Sequence, residues 1–224
     1  MSLQRRKKVN PNVVAINLGG VNCYLVKSSA GFLLVDAGLS TQRRRLLQEF
    51  DKAGCKPADL KFVVMTHGDS DHAGNGAFLQ KEFRVPIGMH PDDFGMVERG
   101  DMNWNRKPKA DKMSILMKIV GAMVRLVSKQ RFETFTPDVA VGDGYDLSQY
   151  GFDAKVVHIP GHSKGSVGVL MDNGDLFCGD FLYSTPGMDF VDDARARAES
   201  LAKLRKLGIK RLLPGHGKPV EVLR

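Results

Sequence analysis

The sequence predicts an α/β fold in which two sheets face each other and carry helices on their outer sides. Two observations predict it. The chain contains a weak duplication, and both copies place histidine or aspartate at the ends of apolar strands. The first copy reads NCYLVKSSAGFLLVDAG (22–38), then a helical stretch from Thr41 to about Ala53, then LKFVVMTHG (60–68). The second reads SVGVLMDNGDLFCGD (166–180), then a helical stretch from about Phe190 to Leu207, then IKRLLPGHG (209–217). In each copy two apolar runs flank a short polar turn, Ser28 to Gly31 or Asp172 to Gly174, which is a hairpin signal. The second strand of each hairpin ends on an aspartate, Asp36 or Asp180. The strand after each helix ends on a histidine followed by glycine, His67 or His216. The aspartate-to-histidine spacing is 31 residues in one copy and 36 in the other.

The remaining elements follow in chain order. Val13 to Leu18 is expected as a strand and His72 to Phe83 as a helix. Val85 to Met89 is a short strand, as are Val139 to Val141, Ala154 to Ile159 and Ser166 to Met171. Between the two copies lies a distinct block, Asp92 to Arg131. Its first part is expected as loop, around Gly95, Gly100 and Trp104. Its second part, Asp111 to Lys129, carries Met113, Leu116, Met117, Val120, Met123, Val124 and Val127 at helical spacing. The expected organisation is one domain over residues 1–224, with a helical, Met-rich, basic insertion at about 92–131.

Composition bounds the function. The chain has 224 residues, of which 42% are hydrophobic and 26% charged, an ordinary profile for a folded globular domain. The longest apolar stretch, Ile115 to Val127, is interrupted by Lys118 and Arg125 and is too short to span a bilayer. Arg5, Arg6, Lys7 and Lys8 are followed by Asn10, Pro11 and Asn12 rather than by an apolar run, so no signal peptide is expected. Cys23, Cys55 and Cys178 are odd in number and far apart, which fits neither a disulfide framework nor a paired-thiolate metal site. A reducing cytoplasm is the expected compartment. The net charge of +8 leaves nucleic acid open as a partner.

The chemistry is concentrated in a few short segments. Thr66-His67-Gly68-Asp69-Ser70-Asp71-His72 places four candidate metal ligands within six residues, directly after the strand Phe62 to Met65. Imidazole and carboxylate are ligands that zinc, iron and manganese accept. A polar turn that caps the next helix, with Asp71 as N-cap, would explain the aspartates but needs no histidines. Three further segments repeat the theme: Val156 to Ser163 with His162 after a Pro-Gly turn, Phe177 to Asp180, and Leu212 to Gly217 with His216. His158 and His90 stand apart. His158 reads as a buried or supporting residue, and His90 as the entry to a helix at Pro91-Asp92-Asp93.

On these segments the sequence resembles the metallo-beta-lactamase fold hydrolases, whose motif is His-x-His-x-Asp-His followed by a distant His, Asp and His. The resemblance runs from about Val13 to Val222. It implies a four-layer αββα sandwich of two facing mixed sheets, with a binuclear metal site at one edge. It further implies that His67 and His162 bind a first metal and that Asp71, His72 and His216 bind a second. Asp180 would bridge the two, and Asp36 would stand behind the ligands and orient the site loops. One position departs from the motif: its second histidine is Asp69 here, a candidate ligand to the first metal if it reaches. Two divalent ions are expected, zinc first. Iron or manganese is also brought in by the added carboxylate.

A metal site of this kind suggests hydrolysis, with a metal-bound hydroxide attacking an electrophilic carbonyl or phosphorus. Asp71 would bind metal and also orient the attacking group or move its proton. Tyr183, just past Asp180, is a candidate substrate contact. Six of the ten methionines fall between Met89 and Met123, and Arg99 to Arg131 holds nine Lys/Arg against two Asp. This block is either a greasy, basic lid for an acyl chain with an anionic part, or an amphipathic helix that simply packs on the core. The expected reaction is cleavage of an ester, thioester or lactone of a small acyl substrate. A nucleic-acid phosphodiesterase of the same superfamily, an iron-dependent oxidoreductase such as a persulfide dioxygenase, and a binding module with a crippled metal site are the alternatives. One Trp and four Tyr make no clear stacking platform for nucleic acid. A small-molecule substrate is the expected partner, and a homodimer is left open.

Overall fold

The computed structural model describes residues 12–106, 133–182 and 191–222. The first sheet contains β1 (Val13–Leu18), β2 (Val21–Lys27), β3 (Phe32–Val35), β4 (Leu60–Val64), β5 (Ile87–Met89) and β6 (Val139–Ala140), in that spatial order. β1, β2 and β3 run antiparallel, and β3 through β6 are parallel. The second sheet is ordered β11-β10-β9-β8-β7. Its strands are β7 (Ala154–His158), β8 (Val167–Met171), β9 (Asp175–Gly179), β10 (Arg211–Pro214) and β11 (Val220–Glu221). Here β9 and β10 are parallel and the other pairs antiparallel. Helix α1 (Arg43–Ala53) connects β3 to β4. A second long helix, residues Ala194–Leu204, connects β9 to β10. The duplication is therefore physical: strand, hairpin, helix and a returning parallel strand occur once in each sheet.

Alternation along the strands sorts the core into layers. Tyr24, Val26, Leu33, Val35, Phe62 and Val64 of the first sheet pack with Ala154, Val156, Val167, Val169 and Phe177 of the second. Their sequence neighbours point the other way. Cys23, Leu25 and Leu34 meet Leu46 and Phe50 of α1. Val157, Leu170, Leu176 and Cys178 meet Leu204 of the second long helix. Central strands buried on both faces read as near-continuous apolar runs, which is why FLLV and LFCG look alike. The helix termini follow local chemistry. Gly54 closes α1 with φ 72°. Asp193 caps the second long helix by accepting from the Arg195 and Ala196 amides at 3.0 Å each.

Two expected elements differ. The helix expected from His72 to Phe83 is broken into α2 (Ser70–Ala73), α3 (Gly76–Phe78) and a π-turn at Leu79–Phe83 that ends on left-handed Arg84. The Gly74-Asn75-Gly76 step breaks it. The Asn75 amide turns away to donate to the Ala37, Gly38 and Leu39 carbonyls, and a Cβ on Gly76 would collide with the Phe135 ring. The first part of the insertion is not all loop. Pro91–Asp93 is a 3-10 turn and α4 (Phe94–Arg99) is helical. Gly95 leaves room for the Trp104 ring, which lies where a Cβ would stand. The long helix from 194 to 204 is accordingly α5. The stretch expected as helix from Asp111 to Lys129, and Tyr183, lie outside the described residues. No helix among the described residues is long and apolar enough to cross a membrane.

Candidate metal centre

Parallel strands deliver their C-terminal ends to the same edge, and here four of them do so. β3 runs out into Asp36, β4 into Thr66 and His67, β9 into Asp180, and β10 into Gly215 and His216. Cross-sheet bonds hold the two edges together. Tyr24 donates its hydroxyl to the Pro214 carbonyl at 2.7 Å, the Asn22 amide donates to Gly215 O at 2.7 Å, and the Val167 amide donates to Thr66 O at 2.8 Å. The loop after β7 brings in His162. Asp93 braces that loop by accepting from Ser163 Oγ at 2.6 Å and from the Gly165 amide at 2.9 Å.

The ligand candidates converge as two adjoining groups. His67, Asp69 and His162 form one, and Asp71, His72 and His216 the other. Asp180 faces both. Its Oδ1 is 3.1 Å from His72 Nε2, and its Oδ2 is 3.5 Å from His216 Nε2 and 4.0 Å from His67 Nε2. In the first group Asp69 Oδ2 is 3.1 Å from His162 Nε2 and 3.5 Å from His67 Nε2. Asp69 therefore lies within the first group. It also takes the helix N-cap position that the polar-turn alternative gives to Asp71, and its side chain makes no cap bond. In the second group Asp71 Oδ2 is 3.3 Å from His216 Nε2 and 3.8 Å from His72 Nε2.

The rings are aimed from behind. Asp36 accepts from the Thr66 amide and hydroxyl and lies 2.8 Å from His72 Nδ1. The Thr66 hydroxyl, having given its proton to Asp36, accepts from His67 Nδ1 at 3.0 Å. His216 Nδ1 is satisfied by the Gly20 carbonyl at 2.9 Å. Each Nδ1 is thus a donor, and each Nε2 lone pair turns into the centre, the usual support for metal-binding imidazoles. Asp36 holds this position with φ 60°, a left-handed conformation that aspartate tolerates better than most residues.

Buried His67 Nε2 and His72 Nε2 make no well-aligned hydrogen bond, although Asp69 Oδ2 and Asp180 Oδ1 stand 3.5 and 3.1 Å away. An orphaned buried polar atom costs about 1–3 kcal/mol, so these two nitrogens fit a site that expects a cation. The electrostatics agree. Burial alone would depress the His72 pKa, but Asp180 and Asp36 carry it well above the usual histidine range. Burial likewise opposes the charge on His216, yet hydrogen bonds to Asp180 and Asp71 push its pKa up to about 10. Burial disfavours ionised Asp180, but His72 and His216 hold its carboxyl far below the ordinary value.

A residue that the sequence did not single out enters the first group. Arg106 Nη2 lies 2.9 Å from Asp69 Oδ1 and 3.1 Å from Asp69 Oδ2, and Arg106 Nε is 3.0 Å from Asp192 Oδ2. One arginine among nine basic residues in its block carries no pattern of its own, and Asp192 none either. A third histidine group, His90, His158 and Asp92, lies apart from the centre. There the two rings stack at 4.1 Å with 9° between their planes. A metal lies in the plane of each imidazole that binds it, so rings stacked this way do not share one. The main centre opens on a cleft of about 560 Å³ whose lining includes Gly19, Gly20, Leu39, Asp71, His216 and Lys218.

The metallo-beta-lactamase superfamily model matches residues 16–216. The chain is 25% identical over 210 residues to a beta-lactamase-like protein 2 homolog of Drosophila melanogaster, covering 94% of this chain and 63% of that protein. It is 27% identical over 215 residues to the acyl-coenzyme A thioesterase MBLAC2 of Bos taurus, covering 87% and 72%. A metallo-beta-lactamase family protein from Thermus thermophilus shares the fold at a TM-score of 0.71, with 22% identity over 95% of this chain and 75% of that one. With the family model matched across both sheets and the motif residues gathered at one edge, the chain belongs to the metallo-beta-lactamase superfamily.

Proposed function

We propose that this chain, a metal-dependent hydrolase by family, cleaves a thioester, ester or lactone bond of a small acyl substrate. The observation that carries the reading is the convergence of His67, Asp69, Asp71, His72, His162, Asp180 and His216 at the end of a cleft, with ring nitrogens aimed inward by partners behind them. The group of Asp71, His72 and His216, faced by Asp180, offers room for a divalent ion. The histidines suit zinc, and the oxygen ligands admit iron or manganese. A bound divalent ion supplies Lewis acidity and makes a water molecule acidic enough to attack near neutral pH.

The protein's own residues position and exclude. Asp71 lines the cleft with His216 and is the more exposed of the two, with about a third of its side chain exposed. Burial opposes its ionisation, but His216 and His72 lower its pKa. It therefore stands as a carboxylate able to orient the attacking water and accept its proton. Asp36 and Thr66 fix the ring orientations of His72 and His67. Gly19 and Gly20 leave the cleft wall without side chains where a substrate approaches, and Lys218 adds positive charge to the lining, which suits an anionic substrate portion. The similarity to an acyl-coenzyme A thioesterase supports a thioester first. Three buried, unbridged cysteines, Cys23, Cys55 and Cys178, suit the reducing cytoplasm.

The test is a panel of thioesters, esters and lactones of rising acyl length, assayed with metal-reconstituted protein. Turnover that changes with acyl length is the expected result. A flat response to length, with cleavage of single-stranded RNA instead, would replace this reading by the phosphodiesterase one.

A further inference from the structure

We propose that the Arg106 guanidinium takes the place of a metal ion at the His67–Asp69–His162 group, so that the centre holds a single divalent ion, among Asp71, His72, His216 and Asp180. The inference rests on the metal-hydrolase reading and specifies its metal content.

The geometry is that of a filled subsite. Asp69 Oδ2, His162 Nε2 and Arg106 Nη2 stand at the corners of a triangle 3.1 Å on each side. Both Asp69 oxygens lie within 3.1 Å of that one nitrogen. A guanidinium has donors and no acceptor, so it draws on the oxygen and nitrogen lone pairs that a metal would need. A metal must approach those same atoms to about 2.0–2.2 Å, which the neighbouring N–H groups and their positive charge oppose. Arg106 is fixed from its other side by Asp192, and its side chain is 19% exposed. A cation held between two carboxylates does not leave cheaply.

The pairing also accounts for the aspartate at position 69. Both Asp69 oxygens face the single Arg106 Nη2, and a carboxylate supplies the negative charge that a guanidinium pairs with, which a neutral imidazole does not. The motif's second histidine is thus exchanged for a group of opposite charge to the arginine. The second group differs. Among the described residues Asp71 pairs with His216 and His72 and with no lysine or arginine. Its ion pairs are with imidazoles that are themselves candidate metal ligands.

The experiment is a zinc titration of the metal-free full chain, with bound zinc per chain read by elemental analysis after gel filtration and the fold checked by circular dichroism. Wild type is expected to saturate at one zinc per chain, and Arg106→Ala to take up a second at least tenfold more tightly than wild type does. Asp192→Asn, which loosens the guanidinium while leaving it in place, is expected to shift second-site affinity the same way and serves if Arg106→Ala does not fold. Two equivalents bound with affinities within tenfold of each other in wild type would overturn the proposal and leave the hydrolase reading standing. One zinc in every folded variant would also overturn it. No zinc at saturation in wild type would overturn the metal-hydrolase reading together with the proposal.

Discussion

Asp36 touches no ligand-facing nitrogen, yet it sits behind the centre, 2.8 Å from His72 Nδ1 and bonded to the threonine that holds His67. Removing its charge while keeping its shape should loosen both rings. Asp36→Asn is expected to weaken metal binding by about 10–100-fold, the usual cost of losing such a partner, with secondary structure unchanged. Competition with a chelator measures it, and an unaltered affinity would contradict the role. The centre's protonation gives a second expectation at this scale. In the metal-free chain the His216 pKa is about 10, raised by Asp180 and Asp71 against burial, and that of His72 is raised as well. A metal binds only the deprotonated ring, so below pH 10 it must displace protons. Affinity should therefore rise between pH 6 and pH 9, by up to tenfold per unit for each proton displaced, and a pH-independent affinity in the chelator assay would refute it. Most of these residues are legible in the sequence because strand ends and glycine turns mark them. Arg106 is not, since its partners Asp69 and Asp192 are 37 and 86 positions away in the chain and only folding joins them.

The elements are legible where burial imposes a period, and least so where a side chain competes with the backbone. VNCYLVK, FLLV and LKFVV declare themselves as strands because both faces are buried. The expected helix from His72 onward breaks because the Asn75 side chain spends its donors on the loop after Asp36, a tertiary demand that local propensity cannot register. α4 is hidden in the sequence because proline and glycine flank and interrupt it, while the Trp104 ring packed on Gly95 lies outside it. The turn after β10 offers a test of how closely elements fit around the centre. A Cβ on Gly215 would stand 2.5 Å from Asp180 Oδ1 and 2.6 Å from His72 Cε1. Gly215→Ala should displace both ligand candidates. Loss of at least tenfold in metal affinity is expected, with about 1–3 kcal/mol of destabilisation from overpacking. Urea unfolding and chelator competition read the two effects separately, and a variant that binds metal as wild type does would contradict the placement of His216's turn.

At the scale of the whole molecule the duplication makes the site. Each half of the chain builds three antiparallel strands, an outer helix and a returning parallel strand, and each half alone ends in an aspartate and a histidine. Facing the halves brings these residues to one edge, and the Tyr24 hydroxyl bond to Pro214 O is one of the few polar ties across the sandwich. Tyr24→Phe should cost about 1 kcal/mol, the net worth of a neutral hydrogen bond whose acceptor keeps a second partner in Asn22; an unshifted urea midpoint would count against it. The basic charge of the chain changes meaning at this scale too. Arg106 belongs to the centre rather than to a nucleic-acid surface, paired with Asp69 and Asp192. Hydrolysis is expected to depend on a divalent metal held by residues of both halves. The most direct measurement is acyl-thioester hydrolysis by the purified full chain before chelation, after chelation, and after metal is restored, alongside metal content per chain. At least one metal per chain, loss of activity with the metal, and recovery on its return are expected. Undiminished hydrolysis by the folded, metal-free protein would contradict it.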